Sequence, residues 1–311
     1  MQDMIKIDNL VKRYGDVLAL DHLNLEVHEG EIFGLLGPNG SGKTTAINCI
    51  LSLLKYDRGD IEVFGKPMTP FSYDAKRQIG VVFQNVAVFD QMTVYENIDY
   101  FCSLYVTDKK KRREYVAEAV EVTGLNDYLK KRPKQLSGGL LRRLNIACGI
   151  AHKPRLIFFD EPTVAVDPQS RNHILEGIER MNRNGSTIVY TSHYMEEVEQ
   201  ICTRIAILDH GKCIASGTSD ELKSMIRTGE TIKIEGIAID DETLGSIRSL
   251  KNVFSAVYTG DTLKLKYSSS GNLLALLHYL EDHHLMFGKI FSEKPTLNDV
   301  FLEITGKELR D

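Results

Sequence analysis

Residues 37–44 read Gly37-Pro38-Asn39-Gly40-Ser41-Gly42-Lys43-Thr44 and lie between the short apolar run Glu31–Leu36 and the helical pattern of Thr45–Leu54. The octapeptide has the form Gly-x-x-x-x-Gly-Lys-Thr of a phosphate-binding loop, in the strand–loop–helix context that such a loop requires. Its glycines let the backbone wrap around phosphate groups, the lysine supplies a positive charge, and the Thr44 hydroxyl suits Mg²⁺. We therefore predict that residues 37–45 bind a nucleoside triphosphate and its magnesium ion.

A second glycine element, Leu136-Ser137-Gly138-Gly139-Leu140, precedes the amphipathic run Leu141–Ile150. It places backbone N–H groups at a helix N-terminus, where the helix dipole favours an anion. Taken alone, it is equally well explained as a glycine turn that opens an ordinary helix. Two phosphate-binding elements in one chain would indicate a site that two copies complete together.

An acidic pair, Asp160-Glu161, follows the apolar run Leu156–Phe159, which is typical of a parallel strand buried on both faces. The pair therefore lies at the carboxyl end of a strand, where ligands bind in such sheets. We expect Asp160 to hold the hydration shell of Mg²⁺ and Glu161 to polarise an attacking water. An acidic turn before Pro162 is the alternative, and the presence of Lys43 argues against it.

Four further residues have both a functional and a structural interpretation. Gln84 and His193 each follow a predicted strand, so they could contact Mg²⁺, water or the γ-phosphate, or equally be a solvated glutamine and a capping histidine. Tyr14 could stack on adenine, although lone aromatic residues lie more often in a core. Asp167 suits the N-cap of a helix whose first residue is Pro168, and spacing alone favours this over a role across a dimer.

The order of patterns along the chain predicts two domains. Strand and helix patterns alternate after residue 30, which indicates an α/β fold with a mostly parallel core sheet. Antiparallel strands are expected within Met4–Glu29, and a helical block over about residues 85–135. After Thr228-Gly229-Glu230 the order becomes β-α-β-β-α-β, which predicts a small ferredoxin-like α+β domain with a closing helix at Pro295–Ile304. The predicted domains are residues 1–228 and 229–311.

The composition is that of an ordinary globular protein. The chain has 311 residues, 42% of them hydrophobic and 26% charged, and a net charge of −5, which gives no reason to expect a nucleic acid partner. Its five cysteines form no CxxC pair, which favours a reducing compartment without disulfides or zinc. No apolar stretch reaches about 18 residues and the first residues lack a signal-peptide pattern. We expect any membrane-spanning part to come from a partner.

In combination and in this order, the motifs of residues 37–44, 136–139 and 160–162 resemble those of the nucleotide-binding subunits of ABC transporters, over about residues 4–225. The resemblance implies a P-loop ATPase domain that binds ATP with Mg²⁺. It also implies two subunits packed head to tail, each ATP lying between one phosphate loop and the other subunit's Ser137-Gly138-Gly139. The roles that it assigns are the adenine-stacking aromatic for Tyr14, the glutamine loop for Gln84, the switch histidine for His193 and the D-loop aspartate for Asp167.

Two positions depart from the family pattern. Leu140 stands where many members have glutamine, and Ala165 where glycine or leucine is frequent. The run Pro295–Leu302 resembles the tail of drug-exporter-type subunits, whose membrane subunits are separate chains, although a packing helix would match it too. This likeness implies a peripheral place on the cytoplasmic face of the membrane and a separate permease.

The expected activity is ATP hydrolysis that powers export of a drug, lipid or peptide-like substrate. Glu161, Lys43 and His193 are the expected catalytic residues, and Thr44, Gln84 and Asp160 the expected metal contacts. A soluble ABC ATPase acting on the ribosome or DNA is the alternative, but neither a second motor domain nor a long coiled-coil insertion is evident in this chain. A non-catalytic regulatory subunit is a third class, against which the intact Lys43 and Glu161 argue.

Overall fold

The computed structural model describes residues 3–226, 229–268 and 273–306. Contacts group them into two compact units, one up to Ser219 and one from Asp220. Residue Thr228, where the sequence predicts the domain boundary, lies outside the described residues.

The first unit contains ten strands and seven helices among its described residues. The strands are β1 (Asp3–Tyr14), β2 (Val17–His28), β3 (Ile32–Leu36), β4 (Arg58–Val63), β5 (Lys66–Pro67), β6 (Ile79–Val82), β7 (Leu156–Asp160), β8 (Thr187–Ser192), β9 (Arg204–Asp209) and β10 (Lys212–Gly217). The helices are α1 (Lys43–Ile50), α2 (Tyr73–Lys76), α3 (Val94–Ser103), α4 (Lys109–Thr123), α5 (Gly138–Ile150), α6 (Pro168–Arg183) and α7 (Met195–Ile201).

The central sheet has six strands in the order β10-β9-β3-β8-β7-β6. All neighbours are parallel except β10, which runs antiparallel to β9. Every residue of β3, β7 and β8 is buried, as expected for parallel strands covered on both faces. Because these three strands are adjacent and parallel, the segments that follow them meet at one edge of the sheet.

A second sheet, in the order β2-β1-β4-β5, is antiparallel throughout and confirms the strands expected near the N-terminus. One cluster of buried apolar side chains includes Leu10 and Leu20 of this sheet, Ile47 of α1, and Leu35 and Phe158 of the central sheet. The helix that follows the phosphate-loop sequence therefore shares one core with both sheets, which gives the loop a rigid support.

The helical block predicted over about residues 85–135 contains α3 and α4, and local sequence sets the ends of both helices. Thr93 and Glu96 form a reciprocal capping box at the start of α3. The carboxylate of Asp108 accepts a hydrogen bond from Lys111 N at 2.7 Å, and Gly124 ends α4 in the left-handed conformation. The basic residues that follow Asp108 therefore form the first turn of the capped helix α4.

Two predicted element ends differ from the structure. Helix α1 ends at Ile50 instead of Leu54, because Ser52 takes a positive φ of 51° that no helix allows. The strand predicted to start at Leu285 is β14 (Ile290–Glu293) and starts five residues later. Leu285 N instead donates to Leu280 O, so the chain there still completes the end of the preceding helix.

The second unit begins with α8 (Ser219–Ser224), whose first residue belongs to the first unit. The elements that follow are β11 (Thr231–Glu235), α9 (Asp241–Arg248), β12 (Val253–Thr259), β13 (Thr262–Tyr267), α10 (Leu273–Asp282), β14 and α11 (Leu297–Thr305). The four strands form an antiparallel sheet in the order β12-β13-β11-β14. Ile232 and Leu265 of the sheet pack with Ile247 of α9 and Leu276 of α10 in one buried cluster.

No helix in the described parts of the chain has the length and hydropathy of a membrane-spanning segment. The five cysteines are free, and three of them, Cys49, Cys102 and Cys148, are buried.

Candidate nucleotide site

The phosphate-loop sequence forms a tight turn between β3 and α1. Lys43 is only 5% exposed, and its Nζ donates to Gly37 O at 2.7 Å and to Pro38 O at 3.2 Å. A Cβ on Gly37 would lie 2.3 Å from the carbonyl oxygen of Leu208, so this position requires glycine. Burial lowers the pKa of Lys43 from its ordinary value, while the nearby carboxylates of Glu161 and Asp160 oppose that shift.

Asp160 ends β7 and is held by two hydroxyl groups. Thr44 Oγ1 donates to Asp160 Oδ2 at 2.9 Å, and Thr191 Oγ1 donates to Asp160 Oδ1 at 2.8 Å. Thr191 also accepts a hydrogen bond from Glu161 N at 3.0 Å, so one side chain of β8 fixes both acidic residues. The pair Thr44 and Asp160 presents hydroxyl and carboxylate oxygens, which are the donors that Mg²⁺ prefers.

Glu161 lies at the centre of the site. Its carboxylate is 3.5 Å from Lys43 Nζ, accepts from Gln84 Nε2 at 3.3 Å, and lies 3.5 Å from His193 Nδ1. The histidine nitrogen is buried and has no hydrogen-bond partner among the described residues. Glu161 itself has a φ of 49°, a left-handed conformation that is uncommon for residues other than glycine. The structure thus brings together four of the residues that the sequence singles out.

Gln84 and His193 reach this carboxylate from loops, because each lies just beyond a strand end. Strand β6 ends at Val82, two residues before Gln84, and β8 ends at Ser192, directly before His193. The apolar pattern predicts a strand over Ile79–Gln84, whereas β6 ends at Val82. Both side chains nevertheless lie just beyond the carboxyl ends of their strands.

Arg142 on α5 holds the backbone around the site, and sequence reasoning missed it. The side chain is 4% exposed; its Nε donates to Pro162 O at 2.8 Å and its Nη2 to Glu161 O at 2.6 Å. Its Nη1 donates to Phe83 O at 3.1 Å and also to Gln84 O. The signal was available, since Arg142 falls on the buried face of a mostly apolar helix, where arginine is rarely found unpaired.

The segment after Gln84 is fixed by a buried asparagine. Asn97 on α3 is fully buried; its Oδ1 accepts from Phe89 N at 2.7 Å, and its Nδ2 donates to Phe89 O and Thr93 O, each at 3.0 Å. Asn145 on α5 accepts from Ala87 N at 3.0 Å. Two amide side chains therefore take the place of a regular secondary structure over residues 85–93.

The Ser-Gly-Gly element opens α5 as an ordinary helix cap. Ser137 Oγ accepts from Leu140 N at 3.4 Å, while Ser137 and Gly138 are exposed. Gly139 is buried, and a Cβ there would lie 2.2 Å from Ser170 Oγ. No hydrogen bond or ion pair of the described residues joins this element to residues 37–44, so the structure does not bring the two phosphate elements together within one chain.

Asp167 and Tyr14 lie where the sequence predicts. Asp167 is the N-cap of α6, and its Oδ1 accepts from Ser170 N at 2.9 Å. This hydrogen bond lowers the pKa of the carboxyl. Tyr14 is 49% exposed at the end of β1, with Lys12 Nζ 5.2 Å from its ring centre. The cap of Asp167 is confirmed, whereas adenine stacking by Tyr14 stays a prediction.

Comparison with known proteins agrees with this geometry. A family model described as ABC transporter matches residues 20–164. The linearmycin resistance ATP-binding protein LnrL of Bacillus subtilis is 38% identical over 99% of this chain and 100% of its own length. The Nod factor export ATP-binding protein I of Ralstonia nicotianae is 32% identical over 99% of this chain and 95% of its own length.

Solved structures extend the likeness to the fold. The dimeric structure of MJ0796, a bacterial ABC transporter cassette, has a TM-score of 0.63 and 28% identity, over 69% of this chain and 98% of that chain. Cassettes of this kind form dimers and work with membrane permeases. On its sequence likeness over nearly the full length, its fold and its site, this chain belongs to the ABC transporter family and is one of its ATP-hydrolysing subunits.

Proposed function

We propose that two copies of this chain bind two ATP molecules with Mg²⁺ between them and thereby power export through a separate permease at the cytoplasmic face of the membrane. The observation that carries the proposal is the position of Glu161, whose carboxylate lies within 3.5 Å of Lys43, Gln84 and His193 at the edge where β3, β7 and β8 end. These residue types combine a base, a phosphate-binding cation and two polar groups for water and phosphate.

The hydrolysis step assigned to this site is in-line attack of water on the γ-phosphorus. Glu161 orients the water and accepts its proton, the new P–O bond forms, and the bond to the β-phosphate oxygen breaks to release ADP. Lys43 exchanges its contacts with the Gly37 and Pro38 carbonyls for phosphate oxygens. His193 contacts the γ-phosphate. Thr44, Asp160 and Gln84 would hold Mg²⁺, which offsets charge on the β- and γ-phosphates.

The second phosphate contact is assigned to the partner copy. Ser137 and Gly138 are exposed at the N-terminus of the 13-residue helix α5, and their own chain leaves them without contact to residues 37–44. A head-to-tail dimer would bring these N–H groups to the γ-phosphate of the other subunit. Asp167, in close approach to Gly139, would then lie near the same interface.

The docking surface for the permease is assigned to the helical block. Asn97 and Asn145 fix residues 85–93 to α3 and α5, so that a movement of Gln84 is passed to this block. The exposed apolar and aromatic side chains of the block and of the segment that leads into it are Phe83, Val86, Phe89, Tyr95, Tyr100, Leu104 and Tyr105. Aromatic residues with exposed faces are typical of interface anchors.

The cargo class is proposed from the relatives. One is named for resistance to linearmycin and another for Nod factor export, and both match this chain over nearly its whole length. We infer export of a drug-like or lipid-like compound, whose contacts would lie in the permease.

Replacing Glu161 by glutamine tests the hydrolysis step. Glu161→Gln keeps the shape of the side chain but cannot accept a proton, so turnover should fall by at least about a hundred-fold. ATP binding should persist, and an ATP-bound dimer should be visible by size-exclusion chromatography. Glu196→Gln on α7 is the matched control, since that glutamate is exposed. Steady-state hydrolysis by Glu161→Gln at the control's rate would remove Glu161 as the base.

Purification of the chain from cells tests whether it binds a permease. The chain should co-purify from detergent-solubilised membranes with a multi-spanning protein. The Tyr95→Glu variant should lose this membrane protein and still bind ATP. Sedimentation with ribosomes or retention on DNA, without such a membrane protein, would favour the soluble ATPase class instead.

A further inference from the structure

A second buried carboxylate lies near the site and takes no part in the hydrolysis step. Glu197 on α7 is 3% exposed. Its Oε2 accepts from Tyr190 OH at 2.6 Å, from Thr163 Oγ1 at 2.7 Å and from Ser192 Oγ at 3.2 Å. Its Oε1 lies 3.2 Å from Arg171 Nε. One carboxylate therefore accepts hydrogen bonds from three hydroxyl groups and forms an ion pair with one guanidinium.

The hydroxyl partners belong to two segments that carry site residues. Thr163 follows Glu161 by two residues, in the loop that leads to Asp167. Ser192 directly precedes His193 at the end of β8. The Glu197 carboxylate thus joins the backbone that follows the catalytic glutamate to the backbone that precedes the histidine.

Arg171 adds a third segment. It lies in the first turn of α6, four residues after its N-cap Asp167. Its guanidinium carbon is 4.9 Å from the ring centre of Tyr194, and that ring is 4.2 Å from the ring of His193. A shift at the start of α6 would therefore reach the histidine both through Glu197 and through Tyr194.

Glu197 and its partners form a stable cluster only if every hydrogen bond to the carboxylate is made. A buried carboxylate is strongly unfavourable without partners, and each hydroxyl that loses its acceptor here would be left buried. Tyr190 is fully buried, and burial together with Glu197 raises the pKa of its phenol well above the ordinary value. The hydroxyl therefore remains protonated and can act only as the donor toward the carboxylate.

We propose that Glu197 is a positioning residue for ATP hydrolysis: its carboxylate fixes Thr163 and Ser192 to one point, so that Glu161, Asp167 and His193 keep a common geometry. The proposal rests on the proposed function, because it assumes that Glu161 and His193 act on the nucleotide. Glu197 itself is assigned no contact with ATP. Nucleotide binding by residues 37–45 should therefore be independent of Glu197.

The test compares Glu197→Gln with Glu196→Gln. Both changes remove one negative charge from the first turn of α7, but only Glu197 is buried. We expect Glu197→Gln to lower kcat by about ten-fold, since small misplacements of catalytic groups cost one to two orders of magnitude. The Kd for ATP should stay within about two-fold of wild type, because the phosphate loop is untouched. Equal kcat values for the two variants would overturn the proposal.

A gentler variant covers the case in which Glu197→Gln does not fold. Tyr190→Phe removes a single donor at nearly constant volume and touches neither Glu161 nor His193. We expect it to lower kcat by a few-fold at unchanged ATP affinity. If Glu197→Gln does fold, Tyr190→Phe should have no further effect in that background. Independent, multiplying effects in the double variant, or a loss of ATP affinity in step with kcat, would show a general packing role and overturn the proposal.

The Glu161→Gln variant separates the two levels of inference. Loss of turnover in Glu161→Gln with full turnover in Glu197→Gln contradicts the positioning role alone. Full turnover in Glu161→Gln contradicts the proposed catalytic role, whatever Glu197→Gln does.

Discussion

The two glycine elements of the chain, residues 37–44 and 136–140, have similar chemistry but opposite surroundings. In the first, the lysine is enclosed by its own chain: Lys43 is 5% exposed and lies 3.5 Å from Glu161. The second presents Ser137 and Gly138 to solvent, with only a helix cap to hold it. We expect phosphate-binding backbone to form a hydrolytic site only where carboxylate and amide side chains at the ends of neighbouring strands lie beside it.

Topology explains the difference. The loop at residues 37–44 follows β3, and the parallel strands β8 and β7 end at the same edge with Ser192 and Asp160. The element at residues 136–140 instead opens α5. The start of α6 approaches it at Gly139.

Mixing two inactive variants tests the difference between the two elements most directly. Ser137→Arg should block the exposed element and Lys43→Ala should disable the enclosed one, so that each alone loses nearly all turnover. An equal mixture should regain about a quarter of wild-type turnover, because half of the dimers then contain one intact composite site out of two. The measurement is steady-state phosphate release against mixing ratio.

The control for that mixture is the double variant carrying both changes in one chain. Mixed with either single variant, it can form only sites that lack at least one intact element, so no turnover should return. Recovery in this control, or no recovery in the main mixture, would mean that the exposed element of one copy does not serve the enclosed element of another.

Arg142 links the two regions and should give the next largest effect. It lies four residues after Gly138 and binds the backbone of Phe83, Gln84, Glu161 and Pro162. Arg142→Met leaves those carbonyls without their donor, so we expect about 2 kcal/mol or more of lost stability and at least a ten-fold lower kcat. Arg142→Lys should be intermediate, since lysine lacks the planar fork.

Arg143→Met is the matched control for that prediction. Arg143 donates to Thr123 O and Gly124 O at the end of α4 instead of to the site. Urea unfolding should show some loss of stability, but kcat per folded protein should stay at the wild-type value. Equal effects of the two methionine variants on kcat would deny Arg142 a role in the site.

Ala165 should give the smallest effect. It is exposed in the loop between Glu161 and Asp167 and has a φ of 58°, where glycine is favoured. Ala165→Gly relieves about 1–2 kcal/mol of left-handed strain but adds unfolded-state entropy, for a net gain of roughly 0.5 kcal/mol. Urea unfolding measures it. Ala117→Gly, exposed within α4, should instead destabilise by about 1 kcal/mol.

Local sequence was sufficient to predict the position of a residue where a motif coincides with a strand end. The spacing of apolar runs fixed the edge at which Lys43, Asp160 and Glu161 would meet, since parallel strands bring their carboxyl ends together. It also placed Gln84 and His193 at that edge, although nothing in either residue's own surroundings favoured the nucleotide over solvent. The order of helices and strands in the second unit was likewise predicted from the periodicity of its apolar residues.

The supporting residues could not be read in this way. Thr191, Arg142 and Asn97 act through contacts with backbone that is 30, 19 and 8 residues away, and such pairings appear only after folding. Glu197 looks like one of several glutamates on a short helix, and only its burial distinguishes it from Glu196. The end of α1 was predicted too far along the chain. One serine in the left-handed conformation ends the helix, although the helical spacing of apolar residues continues beyond it.

The outward position of Ser137 and Gly138 has a kinetic consequence under the proposed composite site. Below the dimer dissociation constant, turnover per chain should rise in proportion to the chain's own concentration, so a dilute pool hydrolyses little ATP. Two copies held on one permease meet at an effective concentration on the order of millimolar, without any change in their own contacts. The cell's ATP is then spent where a permease is present, and free chains stay idle.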